Sequence, residues 1–356
     1  MRPLIKTLFL FLVLNGCSST AEERKALLPD SSGQLAEVIV ITDSRSTDSL
    51  YKEQITNVFA HNLEGHPPPG EPTFKILFTD ESFFKGYFKM HHNIFVLLNT
   101  SNAEYLKKIL GEKAIDKMVS IKESNPETFG LLQEDIYAQN QKIFYILADN
   151  KAEMIERLEK KKEDILQLAL KHENICGKRK MLGTTSVKRD AFYQKCISEK
   201  GFGIRKPKTY RVAIDNEEFV WLRKSSTTNE LEQGLLLFEA PYTSEDNLTT
   251  KNLIKIRNTF ANKYIPGEYK NSYMKYSEAI KPHRRDQNFK GKYGVEIRGW
   301  WDVQGDFMGG PSYIRAVVDE ARGRIVFAEG FLFFPNEAKA KQMRELEILV
   351  NTLSIK

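Results

Sequence analysis

Short apolar runs alternate with amphipathic stretches through the first half of the chain. Runs rich in β-branched and aromatic residues predict buried strands at 36–43 (AEVIVITD), 74–79, 93–98 and 142–148. Apolar residues three or four positions apart predict a helix at 48–62, with one face formed by Leu50, Ile55, Val58 and Phe59. A second helix is predicted from 102 to about 117. Asn150 is expected to cap a third, reaching about 174, with a core stripe of Ile155, Leu158, Ile165 and Leu168.

The second half shows a different order of elements. Strands are predicted at 210–214, 219–223 and 235–238, and an amphipathic helix at 249–264 with an inner face of Leu253, Ile256, Phe260 and Tyr264. The stretch 291–335 holds two further β-type runs, of which 326–334 is apolar on both faces and is therefore expected beneath helices. Asn336 is expected to cap a last helix whose inner face is Met343, Leu346, Leu349, Val350 and Leu353.

These patterns predict an α+β (mixed α/β) chain of two α/β sandwich-like domains. The second has the order strands, helix, strands, helix and a mainly antiparallel sheet. The expected boundaries are a signal peptide at 1–17, a tether at 18–33, an N-terminal domain at 34–175, a helical connection at 176–203 and a C-terminal domain at 204–356.

The first residues have the pattern of a lipoprotein signal peptide. Arg2 and Lys6 precede a short apolar run, 8–14 (LFLFLVL), which is too short to span a bilayer stably. The following Leu14-Asn15-Gly16-Cys17 resembles the lipobox of bacterial lipoproteins, in which the cysteine is acylated (for example with palmitate). The sequence therefore predicts membrane attachment through lipid on Cys17.

The residues after Cys17 bear on localisation. Ser18 at the next position resembles lipoproteins sent to the outer membrane, and Glu22-Glu23 is similar to the acidic export signal of surface lipoproteins in Bacteroidota. The expected location is the cell envelope, on the periplasmic face of the outer membrane or at the cell surface.

Charge argues against nucleic acid as a partner. The formal charge is +6, removal of the signal peptide lowers it by two, and basic residues are interleaved with acidic ones. A hydrophobic content of 41% is enough for real cores, which excludes a disordered chain.

The two cysteines left after lipidation allow two interpretations. Cys176 and Cys196 both lie in helix-like sequence, and the expected compartment permits a disulfide. The alternative is two buried thiols that pack as small apolar side chains.

Motifs for catalysis or cofactors are missing from the sequence. It contains no GxSxG, P-loop, GxGxxG or HExxH, so no cofactor and no metal is expected. Its six histidines are His61, His66, His91, His92, His172 and His283. Because no two of them have metal-ligand spacing, metal binding stays a third, weaker hypothesis.

One strand carries the candidate binding face. Between 295 and 302, odd positions would face one side of a sheet and even positions the other. The even side, together with a nearby acid in the glycine-rich bend 305–311, gives Glu296, Arg298, Trp300, Asp302 and Asp306. The aromatic ring and carboxylates are suited to a sugar or cation. We favour the alternative, a cross-strand ion pair beside a partly buried tryptophan, because mixed-charge aromatic faces are ordinary in half-exposed sheets.

Several motifs resemble one family of Bacteroidota lipoproteins, the type known as domain of unknown function 4837. They are LPDSSG at 28–33, Pro241-Tyr242, RGWW at 298–301, GDFMGGP at 305–311, Asp319-Glu320 and AEGF at 328–331. The resemblance implies a lipid-anchored envelope protein of two packed α/β parts. Since that family has no assigned activity, it implies no catalytic residue.

Two functions follow as hypotheses. The first is a non-enzymatic binding or assembly module of the envelope, with a protein or glycan partner. The alternative is a hydrolase of envelope glycan or peptide that uses carboxylates such as Glu296, Asp302, Asp306 or Glu329. The hydrolase requires two of these carboxyls within about 5–9.5 Å in an open cleft.

Overall fold

The chain folds into two compact units. The computed structural model describes residues 9–11, 25–43, 48–125, 128–184 and 186–356. The first unit comprises Met1–His61 and Pro72–Cys176, and the second comprises Asn62–Glu71 and Gly177–Lys356. The short segment Asn62–Glu71, which the sequence assigned to the N-terminal domain, thus belongs to the second unit.

The first unit is built on a six-stranded mixed sheet in the order β1-β5-β6-β4-β2-β3. Its strands are β1 (Phe9–Phe11), β2 (Glu37–Thr42), β3 (Lys75–Asp80), β4 (Asn93–Asn99), β5 (Gly130–Glu134) and β6 (Lys142–Ala148). All neighbouring strands are parallel except β5 and β6, which are antiparallel. The predicted mixed sheet is confirmed.

Helices pack on both faces of this sheet. They are α1 (Ser49–Phe59), α2 (Tyr87–Met90), α3 (Ala103–Leu110), α4 (Glu112–Ser124), α5 (Lys151–Lys160) and α6 (Lys162–Leu182). One apolar cluster joins the sheet to α1, α5 and α6, and another joins its opposite face to α3 and α4. The first unit is therefore a three-layer sandwich.

In the helices of the first unit, one predicted detail is confirmed and two differ from the prediction. The Asn150 side chain accepts from Glu153 N at 3.0 Å, so the predicted cap is confirmed. The helix predicted from 102 to 117 is broken in two at Gly111, whose φ of +75° favours glycine. Leu50 is 52% exposed, and Tyr51 takes its place in the core.

The second unit contains an eight-stranded antiparallel sheet. Seven strands follow the order β11-β13-β14-β15-β10-β9-β8, and β12 pairs with β13 beside β11. The strands are β8 (Arg211–Asp215), β9 (Phe219–Ser225), β10 (Glu232–Pro241), β11 (Tyr273–Tyr276), β12 (His283–Phe289), β13 (Lys292–Gln304), β14 (Gly309–Asp319) and β15 (Arg324–Phe333). Two short strands, β7 (Phe202–Gly203) and β16 (Ser354–Ile355), pair separately.

Helices cover both faces of this sheet as well. They are α7 (Ala191–Lys200), α8 (Thr250–Tyr264) and α9 (Ala340–Val350). The apolar side of α8 packs on one face, and α9 packs on the other through four of the five residues predicted for it. The fifth, Leu353, follows the end of α9 and joins the same apolar cluster. The predicted α+β class and the burial of 326–334 beneath helices are confirmed. The prediction that Asn336 caps the last helix is wrong, because Asn336 has a left-handed φ of +61° and α9 begins only at Ala340.

The predicted lipoprotein segment lies mostly outside the described residues, and Cys17 is among those not described. Within the described ranges, the structure contains no helix that is both long and apolar enough to cross a bilayer.

Candidate functional site

Strand β13 has the two-sided pattern that the sequence predicts. Val295, Ile297 and Trp301 join the apolar cluster under α8. Glu296 lies on the opposite side, in register with Arg315 of β14. The alternation is confirmed, and it places Glu296 between the sheet and α9.

The carboxylate of Glu296 is occupied by donors from its own unit. The Tyr313 hydroxyl and the Gln287 amide each donate to Oε2 at 2.9 Å. Arg315 Nη2 lies 3.3 Å from the same oxygen, and Arg298 Nε donates to Oε1 at 3.1 Å. A buried carboxylate with this many donors belongs to a structural network.

Arg298 also connects β13 to α9. Its Nη1 donates to Oε1 of Glu347, and Arg344 Nη1 donates to Oε2 of the same carboxylate at 2.9 Å. Burial raises the pKa of Glu347, but Arg298 and Arg344 hold that pKa below its usual value. Burial likewise lowers the pKa of Arg298, and the carboxylates of Glu347 and Glu296 more than offset this. Arg298 and Glu347 therefore stay charged at neutral pH, and their ion pair fixes α9 on the strand.

Trp300 lies beneath a segment from far upstream in the chain, Asn62–Glu71, which we call the strap. The His66 ring meets the indole edge-on, with ring centres 6.2 Å apart. Gly65 brings the strap backbone against β13, because a Cβ there would lie 2.4 Å from the carbonyl oxygen of Arg298. The Trp300 part of the predicted face is thus partly covered by the chain itself.

A side-chain contact fastens the strap at a second point. Glu64 Oε2 lies 2.6 Å from His283 Nε2 on β12. Burial lowers the pKa of His66, although its hydrogen bond with the Glu64 carbonyl acts in the opposite direction. His66 is therefore neutral at physiological pH, as suits a ring packed on an indole.

The bend, residues 305–311, presents the most exposed aromatic side chain of the described residues. Val303 N donates to Met308 O at 3.0 Å, which closes the hairpin, and Phe307 N donates to the Asp306 carboxylate at 2.6 Å. Met308 packs inward against the core, whereas Phe307 is fully exposed. A closed turn thus holds an apolar ring in solvent.

The bend is fixed by close backbone contacts. A Cβ on Gly310 would lie 1.9 Å from the carbonyl oxygen of Leu332, so only glycine fits there. Asp302, on β13, is in register with Lys275 of β11 on one side and with Gly309 of β14 on the other. Phe307 is consequently carried by a hairpin that is closely packed at Gly309 and Gly310.

Glu329, named in the hydrolase hypothesis, lies on the other face of the sheet. It pairs in register with Ile314, which pairs with Ile297 of the α8 side. Arg257 Nε and Nη2 donate to its two oxygens at 2.8 Å each, and both side chains are fully buried. Glu296 and Glu329 therefore do not share a cleft, and this pair does not meet the geometric requirement of a glycosidase.

His92 and His172 of the first unit belong to a buried polar network. His92 Nε2 lies 2.8 Å from Glu173 Oε2, and His172 Nε2 lies 2.9 Å from the carbonyl oxygen of His92. Burial first, and then the neighbouring His92, lower the pKa of His172 to about 3. Across the described part of the chain, no group of three or more His, Cys, Asp or Glu side chains is arranged to hold a metal ion.

The disulfide considered between Cys176 and Cys196 is not present. Both cysteines are buried, and no disulfide joins them to each other. Cys176 Sγ lies 3.4 Å from His172 Nε2 and from Asn140 O, whereas Cys196 packs against Gly203. Each thiol is thus enclosed within its own unit, so the alternative of two buried apolar groups describes them.

Sequence reasoning missed two features of the site. Phe307 was contained in a recognised motif but not singled out, although an aromatic residue between turn-forming residues is itself a signal of exposure. Tyr313 and Glu347, which complete the network on Glu296 and Arg298, lie 17 and 49 residues away in the chain and have no local signature.

Comparison with known proteins gives families without a described activity. Residues 190–352 match the family model "Domain of unknown function (DUF4837)", and residues 31–181 match "Domain of unknown function (DUF8532)". The comparison with curated proteins found no match.

Two solved structures show weak similarity. One is PA94, a protein of unknown function from Pseudomonas aeruginosa, with 14% identity over 43% of this chain and 90% of that one, and a TM-score of 0.25. The other is LpqN, involved in cell envelope biogenesis of Mycobacterium tuberculosis, with 9% identity over 44% and 83%, and a TM-score of 0.27. Both scores are below 0.5, so neither similarity establishes a shared fold.

Proposed function

We propose, from the premise that residues 190–352 form a domain of the DUF4837 type, that this protein is a lipid-anchored, non-enzymatic binding module of the cell envelope. Its C-terminal unit would bind a partner protein through the bend. The main support for this binding role is the side chain of Phe307. It is fully exposed on a hairpin whose neighbouring residues are fixed by close packing.

An exposed aromatic ring on a rigid support is suited to a protein pocket. Burying a phenylalanine side chain contributes about 1.5–3 kcal/mol, and rigid aromatic anchors are frequent hot spots of interfaces. The hydrogen bond that closes the hairpin, from Val303 N to Met308 O, reduces the conformational entropy that a partner would have to remove on binding. The carboxylates Glu296 and Glu329, in contrast, are engaged in buried ion pairs, which favours binding over catalysis.

Lipid attachment rests on the sequence. The basic start, the short apolar run and Leu14-Asn15-Gly16-Cys17 support acylation of Cys17 and an envelope location, and Ser18 favours the outer membrane. Cells grown with labelled palmitate should give a labelled protein that fractionates with the outer membrane. Cys17→Ser should abolish both label and fractionation; label retained in that variant would contradict the anchor.

The bend is tested with a matched pair of variants. Phe307→Ser removes the ring from the bend, and Phe83→Ser removes a 62% exposed phenylalanine from the first unit. Quantitative capture from native envelopes should show a partner whose recovery falls about tenfold or more with Phe307→Ser, because about 1.4 kcal/mol corresponds to a factor of ten. Recovery should be unchanged with Phe83→Ser. Equal recovery with all three proteins would overturn the role of the bend.

A further inference from the structure

The second unit has an open cleft at the opposite end of β13 from the bend. Its volume is about 590 Å³, within the range of about 300–1,000 Å³ usual for small-molecule sites. Tyr293, near the start of β13, lines the cleft, so about 40 Å of extended strand, at roughly 3.3 Å per residue, separates it from the bend. The cleft is therefore a separate feature, and what it binds does not depend on the function proposed for the bend.

The cleft has an apolar floor and aromatic sides. Leu248 and Val318 are buried beneath it, at 9% and 3% exposure. Tyr242 follows β10, and Tyr293 remains 43% exposed on β13. Two tyrosines beside an apolar floor are suited to a ligand with a flat C–H face.

The tyrosine on β13 is held in place before any ligand arrives. Its hydroxyl donates to Asp286 Oδ1 at 2.6 Å, and Arg284 Nη2 donates to the Tyr293 oxygen at 3.1 Å and to Asp286 at 2.5 Å. Hydrogen bonds from Arg284 and Tyr293 hold the pKa of Asp286 below its usual value, so the group is ionised. Arg284 also donates to the Leu248 carbonyl, which ties the arrangement to the floor.

The charges of the cleft define the ligand further. Glu245 and Glu320 line it as exposed carboxylates, and no described residue forms an ion pair with either. The cation of Arg284 is already matched by Asp286. A ligand with negative charge would therefore meet two unmatched carboxylates, whereas hydroxyl groups would find four acceptor oxygens.

From these features we propose that the cleft binds a neutral or amino-substituted saccharide. Sugar rings would stack their C–H faces on Tyr242 and Tyr293. Ring hydroxyls would donate to Glu245 and Glu320, while the Arg284 guanidinium keeps Tyr293 in position.

Binding of defined trisaccharides to the full-length protein in a sugar-free detergent tests this assignment. Chitotriose, maltotriose and chitosan trisaccharide are the expected ligands, trigalacturonate is the anionic counterpart, and trilysine is a cationic peptide control. Isothermal titration should show saturable binding of at least one of the first three, and weaker or no binding of trigalacturonate and trilysine.

Variants separate the ring contribution from folding. Tyr293→Leu and Tyr242→Leu should each weaken binding about two- to tenfold, since an aromatic contact contributes roughly 0.5–1.5 kcal/mol beyond the area it buries. Tyr293→Phe keeps the ring and should retain binding, as should Tyr269→Leu, a 61% exposed tyrosine outside the cleft. Glu245→Gln with Glu320→Gln should weaken the neutral ligands and improve trigalacturonate.

Several results would overturn the proposal. They are no saturable binding of any neutral or amino trisaccharide, tighter binding of trigalacturonate or trilysine, or affinities that both tyrosine-to-leucine variants leave unchanged. Phe307→Ser should not alter saccharide binding, so a failure here and a failure of the bend are distinguishable.

Discussion

Replacing Arg257 should destabilise the second unit far more than an ordinary helix substitution. Arg257 and Glu329 are both completely buried, with two hydrogen bonds of 2.8 Å between them, and the Ser312 hydroxyl donates to the same carboxylate at 2.7 Å. Arg257→Met leaves that carboxylate buried without its cation. Breaking a buried pair in this way costs about 3–5 kcal/mol.

The double variant shows how much of this loss of stability comes from the unpaired buried carboxylate. Arg257→Met with Glu329→Met removes both charges and fills a similar volume, and such replacements are often close to neutral. The Ser312 hydroxyl then loses this acceptor, and Asn258 Oδ1 and Met274 Sδ each lose a donor. An unsatisfied buried group costs about 1–3 kcal/mol. The two single substitutions should therefore be strongly coupled, with an interaction energy of about 3 kcal/mol or more.

Tryptophan fluorescence during urea denaturation isolates the relevant unit. All three tryptophans, Trp221, Trp300 and Trp301, lie in the second unit. Additive effects of the two single variants, or a cost below about 1 kcal/mol for Arg257→Met, would refute the structural role. So would a gain in stability from Glu329→Met, which is the behaviour expected of a strained functional carboxylate.

Three further predictions follow from local features. Burial lowers the pKa of His172 to about 3, below the value of about 6.5 in an unfolded chain. The stability that the neutral imidazole contributes is therefore complete above about pH 6.5. Below that pH the free energy of unfolding falls by about 1.4 kcal/mol for each pH unit. Hydrogen exchange of the first unit at pH 7 and 5.5 should show this loss, and His172→Gln should reduce it; an unchanged slope would contradict the assignment. Burial also raises the pKa of the Cys196 thiol to about 11, and Cys176 is buried as well. Both thiols should therefore react slowly with an alkylating reagent at pH 8 in the native protein and rapidly in urea. A disulfide between them would block alkylation of both. Gly310→Ala should lower the free energy of unfolding by about 1–3 kcal/mol or more, because its Cβ would lie 1.9 Å from the Leu332 carbonyl oxygen; a neutral effect on urea denaturation would contradict that contact.

The strands buried on both faces were readable from sequence because a short apolar run is itself their signature. The run 142–148 predicts β6 to the residue. Strand β12 was not readable: its sequence is HRRDQNF, whose residues are mostly partly or fully exposed, so it lacks an apolar run. Its strand conformation comes from pairing with β13.

Long-range partners explain the remaining differences in fold and site. The spacing on α8 predicted its apolar face, but Arg257 is buried beside that face only because Glu329, 72 residues away, provides a counter-ion. In the same way, alternation on β13 predicted which residues share a side. Two contacts of β13 come from distant parts of the chain, the strap over Trp300 and the Glu347 partner of Arg298. No local sequence pattern predicts such contacts.

Site-specific photocrosslinking in living cells tests whether the bend binds a partner protein. Benzoylphenylalanine at position 307 places the reactive group on the bend, and the same residue at position 83 places it on an exposed site of the first unit. The account predicts a discrete crosslinked protein at position 307 that is not formed at position 83. Irradiation that gives no adduct at 307, or the same adducts at both positions, would contradict a binding function for the bend.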